Sequence, residues 1–157
     1  MSSKTESILL GGAITGVAMT LISLVPIVGG CIACFGYLIA GVVVVWHYTN
    51  TQGLTITGGE GAGMGALGGI VAAIAGSLVS YVLIMLDLAP GMDAVLDQLT
   101  QAGTLTNEQL DAAEGFFDSP LVYLAFFAVG SIVGALLGAI GGAIGASVFK
   151  KGGEFPA

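Results

Sequence analysis

The fold is decided by residues 130–142, whose sequence is GSIVGALLGAIGG. Glycine recurs at every fourth position, at Gly130, Gly134, Gly138 and Gly142, and residues four apart stack on one face of a helix. In water, each glycine would weaken a helix by about 1 kcal/mol relative to alanine. In a bilayer the helix persists because its backbone must satisfy its own hydrogen bonds, and a bare face lets a second helix approach closely. The stretch therefore predicts a membrane helix that packs against another helix.

The composition of the whole chain also indicates a membrane protein. Of its 157 residues, 55% are hydrophobic and 8% are charged, whereas a soluble domain carries about 25% charged residues. The mean hydropathy is +1.00. The 27 glycines fall inside apolar runs, which favours packed membrane helices over disorder. We expect a single membrane domain that spans residues 1–157.

Four apolar runs are long enough to cross a hydrocarbon core of about 30 Å. They predict four transmembrane helices, arranged as two antiparallel hairpins, at about 8–25, 31–48, 60–88 and 120–149. Pro26 breaks the chain after the first run, and Pro90 ends the third. Thr57 and Glu60 have the spacing of a capping box, so the third helix is expected to start beside them. The fold class is therefore an all-α integral membrane protein.

The segment 90–118, between the third and fourth predicted helices, has a different composition. Its pattern indicates two short amphipathic helices that lie on the membrane or cap the bundle. The acidic residues form the polar face of this segment: Asp93, Asp97, Glu108, Asp111, Glu114 and Asp118. A calcium site or attraction for a basic partner is one interpretation. A solvated helix face is the commoner explanation, and because no EF-hand spacing is present we predict no metal site.

The charges predict the orientation of the chain. The net charge is −7 with three lysines and no arginine, so nothing here would neutralise the phosphates of a nucleic acid. The lysines are Lys4, Lys150 and Lys151, all near the termini. Positive residues favour the cytoplasmic side. We therefore expect a multi-pass protein of the cell (inner) membrane with both termini cytoplasmic and the acidic segment 90–118 outside.

Cys31 and Cys34 have the spacing of a redox motif at the start of a helix, where the positive helix end favours the thiolate. The pair resembles the CxxC of four-helix membrane thiol oxidoreductases, the DsbB and vitamin K epoxide reductase families. The resemblance covers this motif and the helix count, and it implies disulfide exchange with a quinone as partner. Those families have a second cysteine pair on an outer segment, and 90–118 contains none. The alternative is two small residues that let helices pack.

Two other motifs predict no chemistry. His47, the single histidine, lies about 24 Å along the helix from Cys31, so the two cannot share a metal, and its neighbours Trp46 and Tyr48 are typical of a membrane interface. Residues 63–68 match GxGxxG, but the dinucleotide fingerprint needs a preceding strand and a downstream acid. We predict no cofactor and no catalytic set.

Small-residue rows are thus the main feature that the sequence offers. The predicted helix-packing positions are Gly12, Gly16, Gly61, Gly65, Gly69, Gly130, Gly134, Gly138 and Gly142. They predict a non-enzymatic structural or accessory subunit, which self-associates or joins a larger membrane complex through glycine-zipper faces. The preferred pairing is the third helix with the fourth, although a contact between subunits would use a row equally well. The alternatives are a channel or small-solute pore, and a thiol–disulfide oxidoreductase.

Overall fold

The computed structural model describes residues 3–24, 29–89, 100–101, 103, 109 and 120–149, without the side chains of 29–34, 120, 122 and 123. Four long helices occur in this part: α1 (Lys4–Ser23), α2 (Gly29–Gln52), α3 (Gly58–Met85) and α4 (Pro120–Val148). The described residues contain no strand. Three stretches are long and apolar enough to cross a membrane: Lys4–Ser23, Gly58–Met85 and Leu124–Val148. An all-helical fold with several candidate membrane spans is thereby confirmed.

Local capping explains where α1 and α3 begin. The Ser3 hydroxyl accepts from the backbone N–H of Glu6 at 3.2 Å, and the Glu6 carboxylate accepts from the backbone N–H of Ser3 at 3.3 Å. Thr57 and Glu60 form the same reciprocal pair at α3, as their spacing predicts. Because the first box lies at residue 3, α1 starts four residues before the expected position 8.

The end of α2 is set by a glycine. Gly53 has a φ of +67°, a left-handed conformation that glycine adopts without steric cost. Its N–H donates to the carbonyl oxygen of Thr49 at 2.9 Å and closes the last turn. Helix α2 therefore extends to Gln52, past the expected end at Tyr48.

The four helices lie at the corners of a rhombus in the order α1, α2, α4, α3. Helices α1 and α4 each contact both α2 and α3, and α2 and α3 meet across the centre. In the part of the chain that the structure describes, α1 does not contact α4. The most extensive contact joins α3 to α4. There Gly61 lies against Gly142 and Gly69 against Gly134, so these two helices run antiparallel.

Most of the glycines and alanines at the helix contacts are buried, together with a few larger side chains, whereas most large apolar residues lie on the outside. The buried cluster consists of Val44, Val45, Tyr48, Ile56, Met64 and Ala146. Many large apolar residues are exposed instead, for example Leu9, Leu78, Leu121 and Leu136. Between membrane helices, close packing replaces the hydrophobic drive, because lipid is as apolar as leucine. This distribution fits a surface that faces lipid.

Candidate functional site

Helices α3 and α4 meet backbone to backbone. A Cβ placed on Gly61 would lie 2.5 Å from the carbonyl oxygen of Gly142, closer than the 3.0 Å limit of real Cβ contacts. A Cβ on Gly65 would overlap the carbonyl oxygen of Gly138, and a Cβ on Gly138 would overlap the carbonyl oxygen of Gly65. The structure brings together the predicted packing positions Gly61, Gly65, Gly69, Gly134, Gly138 and Gly142. No larger residue fits this contact unless the helices move apart.

Gly130 differs from the other members of its row. A Cβ on Gly134 would lie 2.9 Å from the carbonyl oxygen of Gly69, whereas a Cβ on Gly130 would meet nothing within 4 Å. The close approach of the two helices therefore ends at Gly134. Gly130, one turn away on the same face of α4, borders open space.

Helix α2 approaches α4 through glycines that the sequence analysis did not single out. A Cβ on Gly41 would lie 2.7 Å from the backbone nitrogen of Gly142, and a Cβ on Gly141 would overlap the carbonyl oxygen of Leu38. Gly141 and Gly145 form a second four-residue row beside the first. That spacing is the signal that could have revealed this face. Helix α4 thus presents bare backbone to two neighbours.

Helix α1 packs its small-residue row on α3. A Cβ on Gly12 would lie 2.7 Å from the carbonyl oxygen of Gly68, and one on Gly16 would lie 2.9 Å from the Cα of Ala72. One turn further, the Thr20 hydroxyl donates to the carbonyl oxygen of Gly16 at 2.9 Å. The predicted positions Gly12 and Gly16 therefore pack against another helix of the same chain. The paired glycines of α3 and α4 do so as well.

Polar side chains join the ends of three helices on the side where α1 and α3 begin. The Lys4 ammonium lies 3.2 Å from the Glu60 carboxylate and 5.9 Å from the centre of the Tyr48 ring. His47 Nδ1 lies 3.0 Å from the Ser7 hydroxyl. The ion pair is about half exposed on both partners, so we assign it a role in positioning and little net stability.

A cavity of about 700 Å³ lies between the helices at the opposite end. All four helices contribute to its wall, and Gly130 is among the lining residues. The polar lining groups are hydroxyls from seven residues: Thr15, Thr20, Ser23, Tyr37, Ser77, Ser80 and Tyr81. Sequence reasoning missed this cavity. Its signal was the recurrence of serine and threonine in the half of α1 and α3 beyond the paired glycines.

Two groups of predicted site residues lie outside the described part of the chain. The side chains of Cys31 and Cys34 are outside the described residues, and so is the acidic face: Asp93, Asp97, Glu108, Asp111, Glu114 and Asp118. Within the described part, no group of three or more His, Cys, Asp or Glu side chains could hold a metal ion. Thiol exchange and cation binding by the acidic segment stay predictions.

Comparison with known proteins found no matching family model, no matching curated protein and no matching solved structure. The geometry of the bundle and its cavity therefore supplies the grounds for a functional proposal.

Proposed function

We propose that the chain is a non-enzymatic integral membrane protein that acts as a structural or accessory subunit. The observation that supports this most is the backbone contact of α3 with α4, where Gly65 and Gly138 lie against each other's carbonyl oxygens. Such contacts depend on the fit between two backbones and contain no catalytic group. Close approach of helices through small residues is typical of packing in lipid. The proposed role is therefore a glycine-zipper scaffold.

The proposal includes four membrane crossings arranged as two hairpins. Helix α2 would supply the fourth crossing. Its 24 residues correspond to about 36 Å of helix, which exceeds a hydrocarbon core of about 30 Å. It lies between α1 and α4, and Ala40 at its middle and Val44 one turn later are fully buried. A helix enclosed in this way by spans on both sides is best explained as a span itself.

The orientation can be tested by cysteine labelling. In a parent with Cys31→Ala and Cys34→Ala, Leu54→Cys and Leu88→Cys place thiols at opposite ends of α3, at positions that are 51% and 63% exposed. With cytoplasmic termini, a membrane-impermeant maleimide is expected to label the Leu88→Cys protein in intact spheroplasts, and the Leu54→Cys protein only after permeabilisation. The parent without cysteine is the control. The reverse pattern would contradict the proposed orientation.

Association with other subunits needs a surface that the bundle does not already use. The paired glycines of α1, α3 and α4 are occupied within the chain. Gly59 and Gly63 on α3 are four residues apart, and a Cβ on either would meet nothing within 4 Å. Both are exposed. We propose that copies of this chain, or other membrane subunits, pack on this outer row.

A bulky substitution on the outer row tests the association. We expect wild-type protein, extracted in mild detergent, to migrate on native gels as a complex larger than the 15.6 kDa chain. Gly63→Leu should reduce the complex to the single chain because a large side chain prevents close helix approach. The matched control is Ser147→Leu, which adds similar bulk at an exposed position of α4. A wild-type protein that migrates as a single chain would refute the assembly role.

Two alternatives stay predictions with less support. A small-solute pore through one chain is less favoured, since backbone contacts occupy the space between α3 and α4 from Gly61 to Gly69. A thiol–disulfide oxidoreductase would depend on Cys31 and Cys34, whose side chains lie outside the described residues. Neither alternative uses the backbone contacts of α3 and α4.

A further inference from the structure

The cavity between the four helices has the dimensions of a ligand site. Its volume is about 700 Å³, within the range of about 300–1,000 Å³ that small-molecule pockets occupy. The site lies within a single chain, so it exists whether or not copies associate. Tyr81, Leu124 and Phe126 line it and are each more than half exposed, so the cavity is open to the surroundings on that side.

The cavity exists because the glycine contacts stop. Below it, Gly69 and Gly134 hold the backbones together, and the Tyr37 ring lies 3.1 Å from where a Cβ of Gly134 would be. The same ring is part of the cavity lining. One turn further along α4, a Cβ on Gly130 would border the open space of the cavity. The next lining residue on α4 is the large Phe127. The close backbone contact therefore ends at Gly134, and the cavity begins beyond it.

The described wall of the cavity carries no charge. Among the residues that the structure describes, the lining includes no Asp, Glu, Lys, Arg or His, so this wall offers a charged ligand no compensation for lost hydration. Apolar groups from Met19, Ile84, Leu124, Phe126 and Phe127 form much of the surface. An uncharged ligand with a substantial apolar part fits such a wall.

Hydroxyl groups give the cavity a polar side. Thr15 donates to the carbonyl oxygen of Gly11 at 2.7 Å and Ser23 donates to that of Thr20 at 2.7 Å, which leaves their oxygens as acceptors. Ser77 and Ser80 also line the cavity, and their spacing on α3 places them on the same face, one turn apart. A ligand hydroxyl or carbonyl group would find both donors and acceptors here.

We propose that this cavity binds an uncharged amphiphile with a hydroxyl or carbonyl head group, of the kind found among neutral lipids. The head group bonds to the Ser77 and Ser80 hydroxyls, and the apolar body lies against Phe126 and Phe127. In hydrocarbon, a head-group hydroxyl or carbonyl that has no partner is costly, so the lining hydroxyls make this cavity a favourable place for such a head group. This inference does not depend on the proposed assembly.

The test compares two probes with the same acyl chain. Monoolein has an uncharged head group with two hydroxyls, and oleate has a carboxylate. Purified full-length protein in detergent is titrated with each probe, and bound molecules are counted by native mass spectrometry. We expect saturable binding of one monoolein and markedly weaker binding of oleate. Equal binding of the two probes, or none of monoolein, would overturn the proposal.

Two variants separate the cavity from the lipid-facing surface. Gly130→Leu fills the cavity at a position where a Cβ meets nothing within 4 Å, so the bundle should fold and monoolein binding should be lost. Ser147→Leu adds similar bulk at an exposed position outside the cavity and should leave monoolein binding unchanged. The double variant Ser77→Ala/Ser80→Ala should bind monoolein about tenfold more weakly. Undiminished binding by the Gly130→Leu protein would show association with the outer surface only and refute the site.

Discussion

Gly65→Ala is expected to lower the free energy of unfolding by about 1–3 kcal/mol, although it adds a single methyl group. That methyl would overlap the carbonyl oxygen of Gly138 and approach the Cα of Gly142 to 2.8 Å. All of the atoms it meets belong to a helix backbone, which cannot turn aside as a flexible side chain can. The helices must therefore separate, and contacts along the whole row weaken.

Gly63→Ala provides the matched control for this prediction. Gly63 lies two residues from Gly65 on the same helix, yet a Cβ there meets nothing within 4 Å. Its stability should be unchanged or slightly higher, because alanine favours the helix. Unfolding is followed in mixed micelles of increasing SDS content through the fluorescence of Trp46, the only tryptophan. Equal unfolding midpoints for the two variants would contradict the described contact of α3 with α4.

The second large effect is expected where three helices meet at Val44. This side chain is fully buried, and its Cγ2 lies 2.9 Å from the Cβ position of Gly11 and 2.7 Å from that of Gly68. Val44→Ala leaves a void and should cost about 2 kcal/mol. Gly68→Ala overfills the same space and should cost about 1–3 kcal/mol.

The double variant Val44→Ala/Gly68→Ala should be more stable than Gly68→Ala alone. Once the valine methyl groups are absent, the new methyl on residue 68 is 3.5 Å from the Cβ of residue 44 and 3.9 Å from the carbonyl oxygen of Ala40, which are ordinary contact distances. We expect a coupling energy of about 1–2 kcal/mol from the double-mutant cycle. The same cycle with Gly63→Ala in place of Gly68→Ala should be additive. Additivity in both cycles would mean that Val44 does not lie between these glycines.

The two predictions differ in how far the sequence alone could have produced them. The glycine row of α4 is visible at a four-residue spacing, and its preferred partner, the third helix, was predicted from a matching row. Gly68 and Val44 have no such signal, since a valine between two glycines of other helices is a long-range arrangement. The cavity was not predicted for the same reason. Its position depends on where the close contact of α3 with α4 ends, which is also a long-range feature.

Local patterns by themselves determined the helical class, the three helices that are apolar enough to span a membrane, and the start of α3. Helix formation in lipid and capping by Thr57 and Glu60 act over a few residues, so the order of residues suffices to predict them. Only the tertiary structure decided that α1 packs on α3, that Gly41 of α2 meets α4, and that Gly130 borders a cavity. A bare backbone face has no side chain that selects a partner, so its neighbour is set by how all the helices pack together.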